Sequence, residues 1–398
     1  MNKKFLDLGL QPLANRYLTI KEKKMNIKEE FYHLLVNFNT KTKLISLSKK
    51  VEIKKMFNSS YPYKSSMSKT MLKSFRILSE KIKKKFNPKM FLEIGSNDGA
   101  LIKNFNNKKV IGIEPCKNLA KITRSKGYKT YCDYWNLKLA NKIKKKYKKI
   151  DLIYSANTIT HIEKLDEVFK SISHVLTKNG VIIIEDPSLL ECIKKTSYDQ
   201  FYNEHIYLFS ALALKNILKK HNFEIFDITN LKTHGGSLRY FIKRKKNKNL
   251  SIKSNVKKQL KKEIDYGLGK FSTFRKFGES TLKSKKDLIR ILNNIKKKNK
   301  RIIGYGATAK ATTILNYCNI DNHLIEYFVD TTPDKKNKHM PGKKIKILSY
   351  DPKLIKNIDY IFLGAWNFKD EIFKKERSFI KNGGKFITHI PSPKIINK

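Results

Sequence analysis

Cysteine is scarce in this chain, with four in 398 residues: Cys116, Cys132, Cys192 and Cys318. No pair has C-x-x-C spacing, and no histidine stands at zinc-ligand distance from a pair. They read as reduced packing thiols in a reducing compartment, and no metal is expected. Long apolar runs are missing too. No window approaches the roughly 18 uninterrupted apolar residues of a membrane helix. The opening residues, Met1 to Asp7, lack the apolar core of a signal peptide. A soluble, cytoplasmic protein with no membrane partner is expected. Acidic residues are few: 34 Asp+Glu against 86 Lys+Arg, a formal net charge of +52. Such an excess points first to nucleic acid. However, it is almost all lysine and is dispersed, as in Lys81 to Lys85, Lys142 to Lys146 and Lys296 to Lys300. A dedicated nucleic-acid surface uses more arginine, with aromatics between the charges. The charge therefore reads as solvated surface, and nucleic acid is not expected as a partner. An anionic small substrate would still gain from the field.

Hydrophobic residues make up 40% of the chain, enough for real cores and too many for a disordered one. The length suggests roughly two to three domains. Residues 1–70 are the least regular, with short strand-like runs at Phe31 to Phe38 and Leu44 to Leu47. Met71, Leu72, Phe75, Leu78 and Ile82 recur at helical spacing. Strands then alternate with helices. The strand candidates are 89–94, 110–114, 129–132, 150–154 and 181–185, and the helix candidates are 100–105, 118–126 and 165–176. This alternation predicts a parallel, doubly wound sheet with a ligand crevice at the carboxyl ends of its strands. A Lys-rich helical pattern covers residues 251–290. A second strand–glycine turn–helix unit follows, with strands at 301–304, 325–329, 360–363 and 385–388. The expected architecture is α/β. It has a small N-terminal region (1–70), a Rossmann-like domain (71–250), a helical connector (251–290) and a second Rossmann-like domain (291–398).

The strongest motif is Phe91-Leu-Glu-Ile-Gly-Ser-Asn-Asp-Gly99. A buried strand runs into Glu93 and then a turn hinged at Gly95 and Gly99, where the backbone can bend sharply. Glu114 ends the next strand, where an acid can take both ribose hydroxyls of an adenosine ligand. A dinucleotide and S-adenosylmethionine share this layout. An acid before the turn would repel a pyrophosphate and suits a cationic amino-acid ligand. S-adenosylmethionine is therefore the expected cofactor, contacted by Glu93, Gly95, Asn97, Asp98, Gly99 and Glu114. Asp133, after the third strand, is expected near the adenine, and Asn157, beyond the fourth, near the methionine end. Two further segments are dense in titratable groups, Ser155 to His161 and Tyr198 to His205. Histidine is the usual general base at neutral pH. His234-Gly-Gly-Ser-Leu-Arg239 could hold a diphosphate through Gly235, Gly236, Ser237 and Arg239.

Several of these blocks together carry a resemblance. Tyr202-Asn-Glu-His205 with Tyr207-Leu-Phe-Ser210 resembles the signature of the deoxysugar C-methyltransferases. So do His234 to Arg239, Gly304-Tyr-Gly-Ala-Thr-Ala-Lys310, Phe328-Val-Asp330 and Met340-Pro-Gly342. Asp7 to Asn15 and Tyr61-Pro-Tyr-Lys-Ser-Ser66 also match, so the likeness covers nearly the whole chain in order. It implies a methyltransferase that acts on a nucleotide-linked 4-keto-deoxyhexose. Carried over, His205 is the base that removes the proton beside the keto group, and Glu204 orients it or helps proton transfer. Tyr61, Tyr202 and His161 hydrogen-bond the sugar or its enolate, and Tyr63 and His234 join the substrate contacts.

The chain departs from that family in one respect. The family's N-terminal zinc site is built from cysteines, and Val36-Asn-Phe-Asn-Thr40 stands where one pair belongs, so no zinc is expected. The C-terminal glycine turn, with Asp330 ending the next strand, resembles a dinucleotide fingerprint but has Ala309 at its last glycine position. It reads as part of a structural or substrate-covering domain. Two other readings compete: methylation of RNA or another anionic polymer, motivated by the charge, and a non-catalytic binder of nucleotide sugar, motivated by the lost zinc site.

Overall fold

The structure, a computed structural model, describes residues 1–397. Three sheets organise it. In the N-terminal region β1 (Asn2–Pro12), β2 (Phe31–Asn39) and β3 (Ile45–Leu47) form an antiparallel meander. The central sheet begins with β4 (Phe91–Ile94), β5 (Val110–Ile113), β6 (Lys129–Tyr131), β7 (Ile150–Ala156) and β8 (Leu176–Pro187), all parallel. The chain then returns to the first sheet as β9 (Tyr207–Leu208), paired with β3. Next, β10 (Phe223–Leu231) and β11 (Ser237–Arg244) complete the central sheet, with β11 antiparallel to both its neighbours. The central order is β10-β11-β8-β7-β4-β5-β6. The C-terminal sheet comprises β12 (Ile302–Tyr305), β13 (Phe328–Asp330), β14 (Ile347–Ser349), β15 (Tyr360–Leu363), β16 (Lys385–Thr388) and β17 (Lys394–Ile396). Its order is β14-β13-β12-β15-β16-β17, parallel up to the antiparallel β17. The fold is thus the expected α/β arrangement, with two Rossmann-like sheets.

The central strands β4 and β5 are buried at every position because helices cover both faces. On one face the helix Lys69–Lys85, capped by Ser68 Oγ accepting the Met71 N–H, buries Met71, Phe75, Leu78 and Ile82 against Phe91, Tyr154 and Phe241. On the other, the helices Leu137–Tyr147 and Leu165–Val175 bury Leu139, Ile143, Phe169 and Ile172. Each such side chain contributes about 1.5–3 kcal/mol by leaving water. The topology switches between β4 and β7, so the crevice opens beside the glycine turn after β4.

Three elements differ from expectation. After Gly99 there is no α-helix but a 3₁₀ turn, Ile102–Asn104. It stops because Phe105 turns extended and packs its ring 4.7 Å from that of Phe91. The helical stretch expected at 251–290 is two helices, Ser254–Asp265 and Phe271–Lys296. The second is no spacer. Its Phe274 and Phe277 join Phe5 and Phe38 in a buried aromatic cluster, with Phe38 stacked on Phe274 at 4.6 Å. That cluster closes the N-terminal sheet, which is more regular than its sequence suggests. Among the described residues no helix is long and apolar enough to cross a membrane.

Candidate active site

The cradle after β4 is acidic and buried. Gly95 takes φ +77°, and a Cβ there would come within 2.1 Å of Thr158 Oγ1, so no other residue fits. The turn delivers the Asn97 N–H to Glu114 Oε2 at 2.8 Å, and the Cys116 N–H reaches Glu114 Oε1 at 2.9 Å. Asn97 and Asp98 also tie down the loop that carries Tyr63. Asn97 Oδ1 accepts the Ser65 N–H, Asn97 Nδ2 donates to the Tyr63 carbonyl, and Asp98 accepts from the Ser66 N–H and hydroxyl. Burial, then the charges of Glu114 and Asp98, push the Glu93 carboxyl well above its ordinary range, and burial raises Glu114. Four buried polar atoms here lack a partner: Glu93 Oε2, Ser96 Oγ, Asn118 Oδ1 and Asn157 Oδ1.

This chemistry fits S-adenosylmethionine. Crowded carboxylates are relieved by a ligand carrying a sulfonium and an ammonium, and would be aggravated by a diphosphate. Glu114 keeps lone pairs free for ribose hydroxyls beside its two backbone donors. Asp133 makes no hydrogen bond to these cradle residues. It is exposed, and its carboxylate accepts the N–H of the adjacent Tyr134. Glu114→Ala is expected to weaken S-adenosylhomocysteine binding by about 1.5–3 kcal/mol, the cost of losing charged hydrogen bonds. Calorimetric titration measures this, and unchanged affinity would move the cofactor away from β5.

The second cluster is built on the loop before β9. His205 Nδ1 lies 2.7 Å from the Gln200 carbonyl oxygen and Nε2 lies 2.6 Å from the Tyr202 hydroxyl. A carbonyl only accepts, so Nδ1 carries the proton and Nε2 is the free base, receiving the Tyr202 O–H. Burial first, then the charge of His161, drives the His205 pKa well below its ordinary value, so the ring is neutral. His161 is sandwiched between Phe57 and His205 with ring centroids 5.2 Å from each. Burial lowers it to about 3, and its Nε2 has no partner. Glu204 does not touch His205. Its carboxylate takes Asn15 Nδ2 at 2.7 Å and the Tyr61 hydroxyl at 2.9 Å, and burial raises it to about 7. The group that meets His205 Nδ1 is the Gln200 carbonyl, while the Glu204 carboxylate turns toward Asn15 and Tyr61 of the N-terminal region.

Residues 63–228 match the family model described as a methyltransferase domain, and residues 232–391 match the C-methyltransferase C-terminal domain. Together the two matches make the protein an S-adenosylmethionine-dependent methyltransferase similar to the C-methyltransferases. C-methyltransferase NovU of Streptomyces niveus is 28% identical over 310 residues, spanning 77% of this chain and 74% of the relative. Among solved structures, an S-adenosylmethionine-dependent methyltransferase from Clostridium acetobutylicum is 15% identical, covering 44% of this chain and 92% of its own at a TM-score of 0.33. The magnesium protoporphyrin IX methyltransferase of Synechocystis is 14% identical, covering 44% and 78% at 0.32. S-adenosylmethionine is the methyl donor of the enzyme.

In this C-methyltransferase several polar groups of the His234 to Arg239 segment, expected to hold a diphosphate, are engaged within the protein. Arg239 is 4% exposed, with its Nε 2.9 Å and its terminal nitrogen 2.8 Å from Glu185 Oε2. The Gly236 N–H is taken by the Thr233 carbonyl, and Ser237 Oγ–H donates to that same carbonyl. A Cβ on Gly235 would lie 2.3 Å from the Trp366 ring, so this segment is a close contact with the C-terminal domain. His234 remains near the crevice, with its Nε2 3.3 Å from Asn157 Nδ2. Tyr63 is part exposed; its carbonyl accepts from Asn97 Nδ2, while burial raises its hydroxyl, which is hydrogen-bonded to Ser65.

The C-terminal glycine turn is filled by its own chain. Asp330 accepts the N–H groups of Ala307 and Thr332 and pairs with Lys335 Nζ at 3.2 Å. Lys335 Nζ and the Tyr17 hydroxyl both donate to the Ala307 carbonyl. Sequence reasoning missed four residues near the loop: Asn15, Asp199, Trp366 and His389. The Asp199 carboxylate is buried and accepts from Trp366 Nε1 at 2.5 Å, with His389 Nε2 3.1 Å away. A buried acid one residue before Gln200 was the available signal.

Proposed function

We propose that this C-methyltransferase acts on a nucleotide-linked keto-deoxysugar and methylates the carbon beside the carbonyl through an enolate. The observation that carries the reading is His205, a neutral imidazole whose tautomer is fixed by the Gln200 carbonyl so that Nε2 is basic. A carbon acid needs such a base together with donors for the oxygen that becomes charged. In this reading Nε2 takes the proton, the C–H electron pair forms the carbon–carbon double bond, and the carbonyl pair moves onto oxygen. The Tyr202 hydroxyl, freed from Nε2, and the His161 ring line the same stack and bind the sugar or its enolate. The Tyr61 hydroxyl donates to Glu204 at the edge of this stack. Glu93, Asn97, Glu114 and Asn157 hold the methyl donor. S-adenosylmethionine, when bound, offers an electrophilic methyl whose bond pair leaves with the thioether, so the protein's remaining task is alignment.

The test is methyl transfer to a panel of nucleoside diphosphate 4-keto-6-deoxyhexoses, paired with exchange of the proton beside the carbonyl into D₂O. Transfer to keto sugars, insensitive to salt, supports the reading. Salt-sensitive transfer to RNA, with no keto sugar accepted, overturns it.

Glu204 gives a prediction about pH. Its folded pKa, about 7, lies above the ordinary value of 4.5 because burial disfavours the charge. The fold therefore binds a proton here more tightly than the unfolded chain. The contribution to stability is full below about pH 4.5 and is lost as pH rises through about 7. Glu204→Gln, which keeps the neutral shape, is expected to flatten the fall in unfolding free energy across that window. Urea melts at several pH values measure it, and an unchanged slope would mean Glu204 titrates normally.

A further inference from the structure

Lys310 lies in the first turn of the helix Ala309–Tyr317, just after the C-terminal glycine turn. It is 8% exposed, and its Nζ has no hydrogen-bond partner. A buried ammonium without partners is costly, and a fold that keeps one has something for it to meet. Its Nζ lies 4.9 Å from the centroid of the Trp366 ring; burial lowers its pKa, and the nearby Asp199 carboxylate favours its charge. Trp366 in turn joins both halves of the candidate site. Its ring rests on Gly235, next to His234 and hence Asn157 at the methyl-donor end. Its indole N–H holds Asp199, next to Gln200, whose carbonyl fixes His205. Lys310 thus overhangs the junction of the base loop and the cofactor cradle, and its charge is felt at His205, His234 and Asp199. Unpartnered acceptors or ring nitrogens on Asn157, Gln200 and His161 belong to the same junction.

We propose that Lys310 is a catalytic residue that the C-terminal domain supplies: its ammonium contacts the substrate carbonyl oxygen as that oxygen becomes an enolate. The inference rests on the keto-sugar reading above. As the proton passes to His205 Nε2 and the carbonyl electron pair moves onto oxygen, the new negative charge forms beside a desolvated cation. Preorganised charge of this kind lowers the barrier most. It also gives the self-filled glycine turn a purpose: the turn and its helix aim a lysine and bind no dinucleotide.

The experiment uses the full-length enzyme and a nucleoside diphosphate 4-keto-6-deoxyhexose. Lys310→Met is expected to lower kcat by about 10²- to 10³-fold, the effect of losing one oxyanion donor. Exchange into D₂O should fall in parallel, with KM and S-adenosylhomocysteine affinity nearly unchanged, and Lys310→Arg should restore part of kcat. A full kcat in Lys310→Met overturns the proposal. So does a raised KM with kcat intact, which would make the lysine an anchor for the diphosphate. Should the methionine variant fail to fold, Lys310→Gln carries the same expectation and the same overturning results. A wild-type enzyme that neither exchanges nor methylates any keto sugar overturns the keto-sugar reading itself, before any variant is compared.

Discussion

Replacing His205 with alanine is expected to cut methyl transfer by about 10²- to 10⁴-fold, the range for loss of a positioned general base. S-adenosylhomocysteine affinity should stay close to wild type, because the cradle residues Glu93, Asn97 and Glu114 make no hydrogen bond to His205. The expectation follows from the fixed tautomer. With Nδ1–H held by the Gln200 carbonyl, no change of tautomer is needed, and only the Tyr202 O–H has to leave Nε2 before it can act. Proton exchange beside the carbonyl, measured without the methyl donor, isolates this step from methyl transfer. Full exchange and full activity in the variant would place the base elsewhere, with His161 next in line because its neutral ring and unpartnered Nε2 lie against His205.

Replacing Arg239 with leucine should mainly cost stability. Glu185 is completely buried, Arg239 supplies two of its contacts, and the Tyr154 hydroxyl adds a third at 3.2 Å. Removing one partner of a buried pair strands the other charge, which costs about 3–5 kcal/mol. Denaturant melts should show a loss of that size, while KM for a nucleotide-linked substrate changes little at temperatures where the variant is folded. A raised KM with unchanged stability would return Arg239 to the substrate. Changing Glu185 and Arg239 together to apolar residues should recover much of the loss, since no charge is then left alone.

What the sequence made legible was local. Glu93, the glycine turn and Glu114 lie within 22 positions, and their order follows from two successive parallel strands and the turn after the first. The density of Tyr202, Glu204 and His205 was visible for the same reason. The pairing of Arg239 was hidden for want of register. It stands inside the buried strand Ser237–Arg244, directly across from Glu185, and only the antiparallel pairing of β11 with β8 puts the two together. The N-terminal sheet was underestimated because what closes it is distant: Phe274 and Phe277 lie more than 200 residues from the strands they cover. The clamp on Asp199 was hidden for the same reason, since Trp366 and His389 join it across 167 and 190 residues.

That last span matters to the newborn chain. The methyl-donor cradle needs only segments that are made early, so it can close while the rest is still being translated. Asp199 must wait for Trp366 and His389, and until they arrive its carboxylate is a bare charge beside the loop that holds His205. Synthesis therefore gives the protein an order of maturation, with the methyl-donor site complete first and the proton-abstracting loop locked last.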